Sequence, residues 1–297
     1  MPTTPSSTVH DVALIFEGGG MRAALTSAVV AALLDAGIYC DFVTGISAGS
    51  SNTVNYLARD PQRARRSFVE FVSDPRFGSW RTFARGEGWF NARYIYEETS
   101  LPDQALPLDF ETFQANDAAF AIGAFRCGDG QEVYWGRDDV ATLRDLLVRV
   151  RASSTMPVLM PPVTIDGQVY VDGALGPTGG IALDAARAAG YERFLIILTQ
   201  ERGYVKEPLR YPGFYRRHFR RYPAVADALL SRFHRYNETR EEVFELERSG
   251  QAMVFAPEIM PISNGERNVA KLAAAHQLGL AQAGREVGAW KEFCGLA

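Results

Sequence analysis

The sequence predicts an α/β fold, a mostly parallel sheet covered by helices and followed by a mainly helical extension. Three observations predict it. Asp11 to Phe16 is a short apolar, β-branched run that stops at Glu17-Gly18-Gly19-Gly20 and gives way to a helix-length apolar segment, Ala23 to Ala36. Asp41 to Thr44 repeats the pattern, running into Gly45-Ile46-Ser47-Ala48-Gly49 and a small-residue helix that ends near Arg59. Consecutive strands joined by a helix run parallel, and a parallel sheet needs helices on it. From Glu201 onward the composition shifts toward Arg and Tyr with helical periodicity. The chain thus divides into an α/β unit at residues 11–200 and a mainly helical extension at 201–297.

The remaining elements follow in order. Pro61 to Phe71 is Arg-rich and reads as a surface helix, and Asp74 to Tyr96, with its Trp, Phe and Gly residues, reads as an irregular excursion. Ala118 to Arg126 and Gln131 to Trp135 flank Gly128-Asp129-Gly130, and Val163 to Ile165 and Gln168 to Val171 flank Asp166-Gly167. Both pairs predict β-hairpins, the second with the Asp-Gly dipeptide that type I′ turns prefer. Val140 to Ala152 and Ile181 to Ala189 have helical periodicity, and Phe194 to Thr199 is a wholly apolar candidate central strand. Helices are expected at Ala224 to Arg235, Glu238 to Arg248 and Asn268 to Glu286, with a short strand at Ala252 to Ala256.

Composition excludes several classes. The 297 residues include 31 basic and 35 acidic side chains, for a formal net charge of -4, and 47% are hydrophobic. These values fit a folded chain and exclude disorder, collagen and a nucleic-acid-coating protein. Ala23 to Leu34, interrupted by Thr26 and Ser27, is far shorter than the ~18 residues of a membrane span. Met1 to Asp11 lacks the charged and apolar regions of a signal peptide. Cys40, Cys127 and Cys294 form neither a disulfide framework nor a zinc signature, so the expected compartment is the reducing cytoplasm.

Gly45-Ile46-Ser47-Ala48-Gly49 matches G-x-S-x-G, a strand-to-helix turn that lifts a serine hydroxyl off the sheet edge. A plain βα turn with Ser47 as a helix cap is the simpler alternative. Gly18-Gly19-Gly20-Met21-Arg22 exposes consecutive backbone N–H groups at a helix start, a loop that suits an anion or an oxyanion. Gly18, Gly20 and Ala23 also satisfy a dinucleotide fingerprint, which leaves a nucleotide-binding reading open. That reading wants an acidic residue at the end of the second strand, where Asp41 instead stands at its beginning. Arg22 opposes the helix dipole and calls for a tertiary partner. For a base, the order Ser47, Asp172, His276 allows a triad, although His218, His234 and His276 all fall in helical segments. Asp172, at the end of a strand and the start of Gly173-Ala174-Leu175-Gly176, is the best-placed carboxylate to act directly.

Together, Gly18-Gly19-Gly20-Met21-Arg22, Gly45-Ile46-Ser47-Ala48-Gly49 and Asp172-Gly173-Ala174 resemble, in order, the three motifs of the patatin-like phospholipase family. Ala152-Ser153-Ser154-Thr155-Met156-Pro157 through Pro161-Pro162-Val163 looks like that family's segment leading into the aspartate hairpin. The resemblance spans Val12 to Thr199, with Ala23 standing where many members have glycine. It implies a three-layer α/β sandwich and a serine acyl hydrolase acting on lipid esters, phospholipase A-like or lysophospholipase-like. It further implies a Ser47 nucleophile and an Asp172 general base with no histidine, no metal and no cofactor, and an oxyanion hole formed by N–H groups of Gly18, Gly19, Gly20, Met21 and Ala48. Arg22, Gly45, Gly49 and Gly173 would support the motifs.

Two segments suit a lipid surface, in keeping with a peripheral contact on an anionic membrane. Tyr211 to Tyr222 sets Arg216, Arg217, Arg220 and Arg221 among aromatic residues, and Phe77 to Tyr96 could form an acyl entrance or lid.

Overall fold

Strand β1 (Val12–Phe16) is buried along its whole length and alternates between two apolar cores. Val12, Leu14 and Phe16 join one core, and Ala13 and Ile15 join the other. A strand buried on both faces explains the unbroken apolar run that a half-exposed strand would not show. The computed structural model of the protein describes residues 5–296. Residues 1–4, part of the Met1 to Asp11 stretch read above as lacking a leader, and residue 297 lie outside the described residues.

After a single turn at Gly20–Arg22 come α1 (Ala23–Asp35), β2 (Phe42–Ile46), α2 (Ala48–Leu57) and α3 (Pro61–Phe68). Asp60 caps α3 by accepting from the Arg63 N–H, with Pro61 at its first position. The aromatic excursion holds only a short helix, α4 (Trp80–Ala84), and one wide π-turn at Tyr94–Glu98; α5 (Phe110–Ala115) returns the chain to the sheet. Then follow β3 (Ala119–Arg126), β4 (Glu132–Trp135), α6 (Leu143–Ser153), β5 (Val163–Ile165), β6 (Gln168–Asp172), α7 (Leu183–Ala188) and β7 (Arg193–Ile197). The last third supplies α8 (Pro212–His218), α9 (Pro223–Arg248), β8 (Ala252–Phe255) and α10 (Val269–Phe293).

The strands form one sheet in the order β5-β6-β3-β2-β1-β7-β8, with β4 also paired to β3. Pairs β1·β2, β1·β7, β2·β3 and β7·β8 are parallel, and the two hairpins and β3·β6 are antiparallel. Residues of α1, α2 and α10 pack in the core on one face, and those of α7 and α9 in the core on the other, giving three layers. Asp166 and Gly167 both have positive φ, as the type I′ turn requires.

Several expectations change. Ala224 to Arg235 and Glu238 to Arg248 are one helix of 26 residues, α9, because Arg235-Tyr236-Asn237 contains no breaker and Tyr236 is needed in the core. The run Phe194 to Thr199 lies second from the sheet edge, its outer side covered by β8 alone. Helix α3 is not wholly superficial, since Arg63 is 8% exposed and bonds Asn55, Ser100 and the Leu106 carbonyl. Helix α10 continues past Glu286 to Phe293, seating Trp290 in the core.

Candidate active site

The register of β3 brings the site together. Along β3, Ala119 to Gly123 pair with β2, and Ala124 to Arg126 pair with β6. Strand β4 pairs with Ile122 to Phe125, overlapping both, so it takes the opposite edge of β3. Strands β2 and β6 therefore share one edge of β3 and meet end to end where Ile46 faces Gly123 and Asp172 faces Ala124. The residue after β2 is Ser47, and the last residue of β6 is Asp172. Antiparallel β6 thus delivers a carboxylate to the end of a parallel strand 125 positions earlier in the chain.

Ser47 donates its hydroxyl to Asp172 Oδ2 at 2.7 Å. Its backbone has φ 58° and ψ -127°, a region that non-glycine residues avoid, which marks a strained turn held by its surroundings. The flanking glycines allow that turn by close approach. A Cβ on Gly45 would stand 2.4 Å from the Gly49 backbone, and one on Gly49 would stand 2.1 Å from the Phe16 carbonyl oxygen. Gly173 is confined in the same way, since a Cβ there would lie 2.4 Å from the Gly123 carbonyl oxygen. Ser153 fixes the serine from behind, accepting the Ser47 N–H on its hydroxyl at 2.9 Å.

Asp172 is 5% exposed. Its Oδ1 accepts the Ala174 N–H at 2.9 Å, and its own N–H donates to the Thr155 carbonyl. Burial raises the carboxyl above its ordinary value, opposed by the Ala174 and Ser47 hydrogen bonds and the Arg232 charge. A carboxylate so placed has more proton affinity than a solvated one, which is what a base for a serine hydroxyl needs.

The glycine loop lies against this pair, with a would-be Cβ of Gly18 at 3.1 Å from Ser47 Cβ. Of the five N–H groups expected to face an oxyanion, two are occupied: Gly18 donates to the Gly180 carbonyl and Met21 to the Asn264 carbonyl. These two shape the loop and cannot be donors to a substrate. The N–H groups of Gly19, Gly20 and Ala48 have no hydrogen-bond acceptor among the described residues. Arg22 lines the cleft with Ser47 and Asp172, and among the described residues neither an ion pair nor a side-chain hydrogen bond satisfies it.

The histidines are engaged elsewhere. His276 Nδ1 sits 3.0 Å from Ser27 Oγ and 3.2 Å from the Ala24 carbonyl oxygen on α1, and burial lowers its proton affinity. His10 pairs with Asp41, His218 stacks on Phe214, and the His234 ring lies tilted against that of Phe233. Asp41, which precedes β2, lies at the other end of the sheet from the glycine loop that follows the parallel β1, and it accepts from Tyr191. That position is wrong for a ribose at the Gly18 to Ala23 turn. No group of three or more His, Cys, Asp or Glu side chains able to hold a metal is found among the described residues.

Ser47, Asp172 and the glycine loop all lie within the span of one family model. The model of patatin-like phospholipase matches residues 14–182, more than half of the chain. The chain belongs to the patatin-like phospholipase family. Residues 222–295 match a second model, a domain of unknown function. Among curated proteins, the chain is 26% identical over 190 residues to the uncharacterized protein YjjU of Escherichia coli K12, covering 63% of this chain and 52% of that one. The match thus spans about half of the relative's length. Among solved structures, VipD from Legionella pneumophila aligns over 94% of this chain and 67% of its own, with 11% identity and a TM-score of 0.49.

In this patatin-like chain, residues beyond the motifs complete the site. Ser153 and Thr155 come from the end of α6 and the segment after it, and Asn264 comes from the loop before α10. Arg232 comes from α9 and donates twice to the Gly179 carbonyl, at 3.0 and 2.9 Å. Only the Ala152 to Pro157 resemblance pointed toward any of them. A second cavity of about 40 Å³ shares Gly20, Ser47, Met156 and Asn264 with the cleft at Ser47 and is lined further by Ala48, Phe68, Phe77, Phe90, Ile95 and Tyr96. Met21, Phe68, Phe77, Ile95 and Tyr96 also line a further cavity of about 70 Å³ that reaches Val54, Leu106 and Arg63.

Proposed function

We propose that the protein hydrolyses acyl esters of lipids through a Ser47–Asp172 dyad and an acyl-enzyme, with neither histidine nor metal. The observation that carries this reading is the 2.7 Å hydrogen bond from Ser47 to a buried, proton-avid Asp172, beside three unpaired N–H groups. Asp172 takes the hydroxyl proton as Ser47 Oγ attacks the ester carbonyl. Gly19, Gly20 and Ala48 N–H groups receive the oxyanion, each such donor being worth about 10²- to 10³-fold in rate. The tetrahedral adduct collapses, the C–O bond to the alcohol breaks, and Asp172 returns the proton to the leaving alkoxide. Water then attacks the acyl-enzyme, its proton passing to Asp172 and on to Ser47 Oγ. The acyl chain takes the apolar cavities lined by Phe77, Ile95 and Tyr96.

The same reading assigns a membrane-facing side. Trp80, Phe83 and Trp89 of the excursion, Tyr211 just before α8 and Phe214 of α8 are exposed large side chains, and Arg216, Arg217, Arg220 and Arg221 are exposed in the same segment. A groove of about 470 Å³ is lined from both segments, by Phe83 and Gly88 on one side and Phe219, Arg221 and Tyr222 on the other. Pro157 belongs to this groove and to the Ser47 cleft. Interfacial aromatics with arginines suit an anionic bilayer surface. No helix among the described residues is long and apolar enough to cross a membrane.

The deciding experiment treats intact protein with a long-chain organophosphonate and maps the mass increase. Labelling of Ser47, together with loss of nitrophenyl ester hydrolysis in Ser47→Ala and Asp172→Asn but not His276→Ala, is the expected result. Label on another residue, or hydrolysis retained by Ser47→Ala, overturns the reading. Flotation with phosphatidylcholine vesicles should require added phosphatidylglycerol at low salt.

A further inference from the structure

We propose that the deep end of the acyl cavity recognises an anion, so that the preferred substrates are esters of acyl chains that carry a second carboxylate at their far end, paired there with Arg63 of α3. The inference rests on the serine hydrolase reading and adds to it the chemistry of the acyl terminus.

Arg63 is 8% exposed and lines the cavity of about 70 Å³ that shares its walls with the one at Ser47. Its guanidinium donates once from each nitrogen, to the Leu106 carbonyl, Asn55 Oδ1 and Ser100 Oγ. That leaves an N–H on each terminal nitrogen without an acceptor among the described residues. All of these partners are neutral, and no carboxylate lies within 4.0 Å of the guanidinium among the described residues. Asp60 accepts from the backbone N–H of Arg63, not from its side chain. The surroundings add more donors. Ser51 and Ser100 line the same cavity with hydroxyls that donate to no group among the described residues, and Asn55 Nδ2 is buried without a partner. A buried cation held only by neutral dipoles is costly, and burial pushes Arg63 down to about 10 despite the Asp60 charge. A site with surplus donors and an unmatched positive charge fits a carboxylate, which only accepts.

The path from Ser47 to this end follows one face of α2. Ala48, Ser51 and Asn55 stand at helical spacing on that face, and about 10 Å of helix separates the first from the last. Along the way Phe68, Phe77 and Ile95 keep the walls apolar. An apolar passage with a cationic floor discriminates between chain ends. A methyl end leaves the guanidinium unmet, whereas a carboxylate accepts from both terminal nitrogens in charge-assisted bonds. Hydrolysis of such an ester releases a free dicarboxylic acid and the alcohol.

The test compares the nitrophenyl half-ester of decanedioic acid with nitrophenyl decanoate, below their critical micelle concentrations. The wild-type kcat/KM should favour the half-ester by about tenfold or more, the scale of hydrogen bonds to a charged group. The preference should vanish for the hexanedioic half-ester against nitrophenyl hexanoate, whose chains stop short of Arg63. Arg63→Gln should cut the decanoyl ratio about tenfold, and Arg63→Lys should recover part of it. The length dependence in the wild type decides the matter even if Arg63→Gln does not fold. A wild-type decanoyl ratio near one, or a ratio unchanged in folded Arg63→Gln, overturns the proposal. So does an equal preference in the hexanoyl pair, which would put the carboxylate in the cleft of Arg22 and Arg232. If none of the esters is cleaved, the serine hydrolase reading fails instead, and calorimetric titration judges the cavity. Monomethyl decanedioate that binds more tightly than methyl decanoate, with the difference lost in Arg63→Gln or Arg63→Lys, sustains the anion site. Equal binding of the two, or none, overturns it.

Discussion

Tyr236 donates its hydroxyl to Glu17 at 2.6 Å, joining residues 219 positions apart in sequence. Glu17 ends at the glycine loop, and its other oxygen accepts the Thr199 N–H at 2.5 Å. Both side chains are almost fully buried, and burial together with the Glu17 carboxylate drives the phenol's proton affinity far up. Helix α9 thereby holds the residue from which the Gly18-Gly19-Gly20 turn departs, as Asn264 holds Met21 on its other side. Tyr236→Phe leaves a buried carboxylate oxygen without its donor, which costs about 1–3 kcal/mol. Thermal melts should fall accordingly, and kcat on a short nitrophenyl ester should fall with little change in KM. A variant equal to wild type in both would show that this contact does not set the loop.

That link also explains what the sequence left hidden. Ser47 and Asp172 were legible because each sits in a local turn with its own residue signature, and the glycines around them are forced by close approach. Arg232, Tyr236 and Asn264 reach the site only through packing of the last third onto the first, and nothing local marks a helical arginine as lining a cleft. The oxyanion donors were over-counted at Gly18 and Met21 for the same reason, since their acceptors, Gly180 and Asn264, are distant in sequence. Pro61 to Phe71 reads as a surface helix from its basic composition, although its Arg63 turns inward to Asn55 and Ser100. The strands were legible from their apolar runs, but the order that brings β8 into the sheet was not.

The pH profile follows from Asp172. As a base it must be ionised, and burial raises its carboxyl above the usual range near about 4. Activity on an uncharged ester should therefore fall as the pH drops through a midpoint above that range. The Arg232 charge lowers the Asp172 value, so Arg232→Gln should move the acid limb toward higher pH. An acid limb unmoved by that substitution would show that the two groups are electrostatically independent.

Stability should carry a different pH signature. Glu132, on β4, is pushed up to about 9 by burial and by Asp184, which in turn accepts from Tyr134. A carboxyl with a raised folded value binds more protons folded than unfolded between its ordinary range and about 9. Its contribution is therefore fully present below about 4.5, where both states are protonated, and is lost as the pH rises toward 9. Melting temperature should decline across that window in the wild type and more shallowly in Glu132→Gln, which keeps the shape without the ionisation. Parallel melting curves from pH 5 to 9 in the two proteins would rule this out.

The apolar side of the site sets a limit on acyl length. Met21, Phe68, Phe77, Ile95 and Tyr96 wall both the cavity at Ser47 and the deeper one that ends near Leu106 and Arg63. A methyl terminus that reaches the deep cavity gains about 0.8 kcal/mol per buried methylene, and one that reaches Arg63 meets a charged floor and gains nothing further. Val54 lines only the deeper space, so Val54→Phe fills it without touching the walls next to Ser47. Overpacking there costs about 1–3 kcal/mol of stability. Excluding about four methylenes removes about 3 kcal/mol, so kcat/KM on a hexadecanoyl nitrophenyl ester should fall roughly a hundredfold while the butanoyl ester is far less affected. A chain-length profile identical to wild type in a folded Val54→Phe protein would mean that the acyl chain takes another route, with the open groove beside Pro157 and Met160 then the next to block.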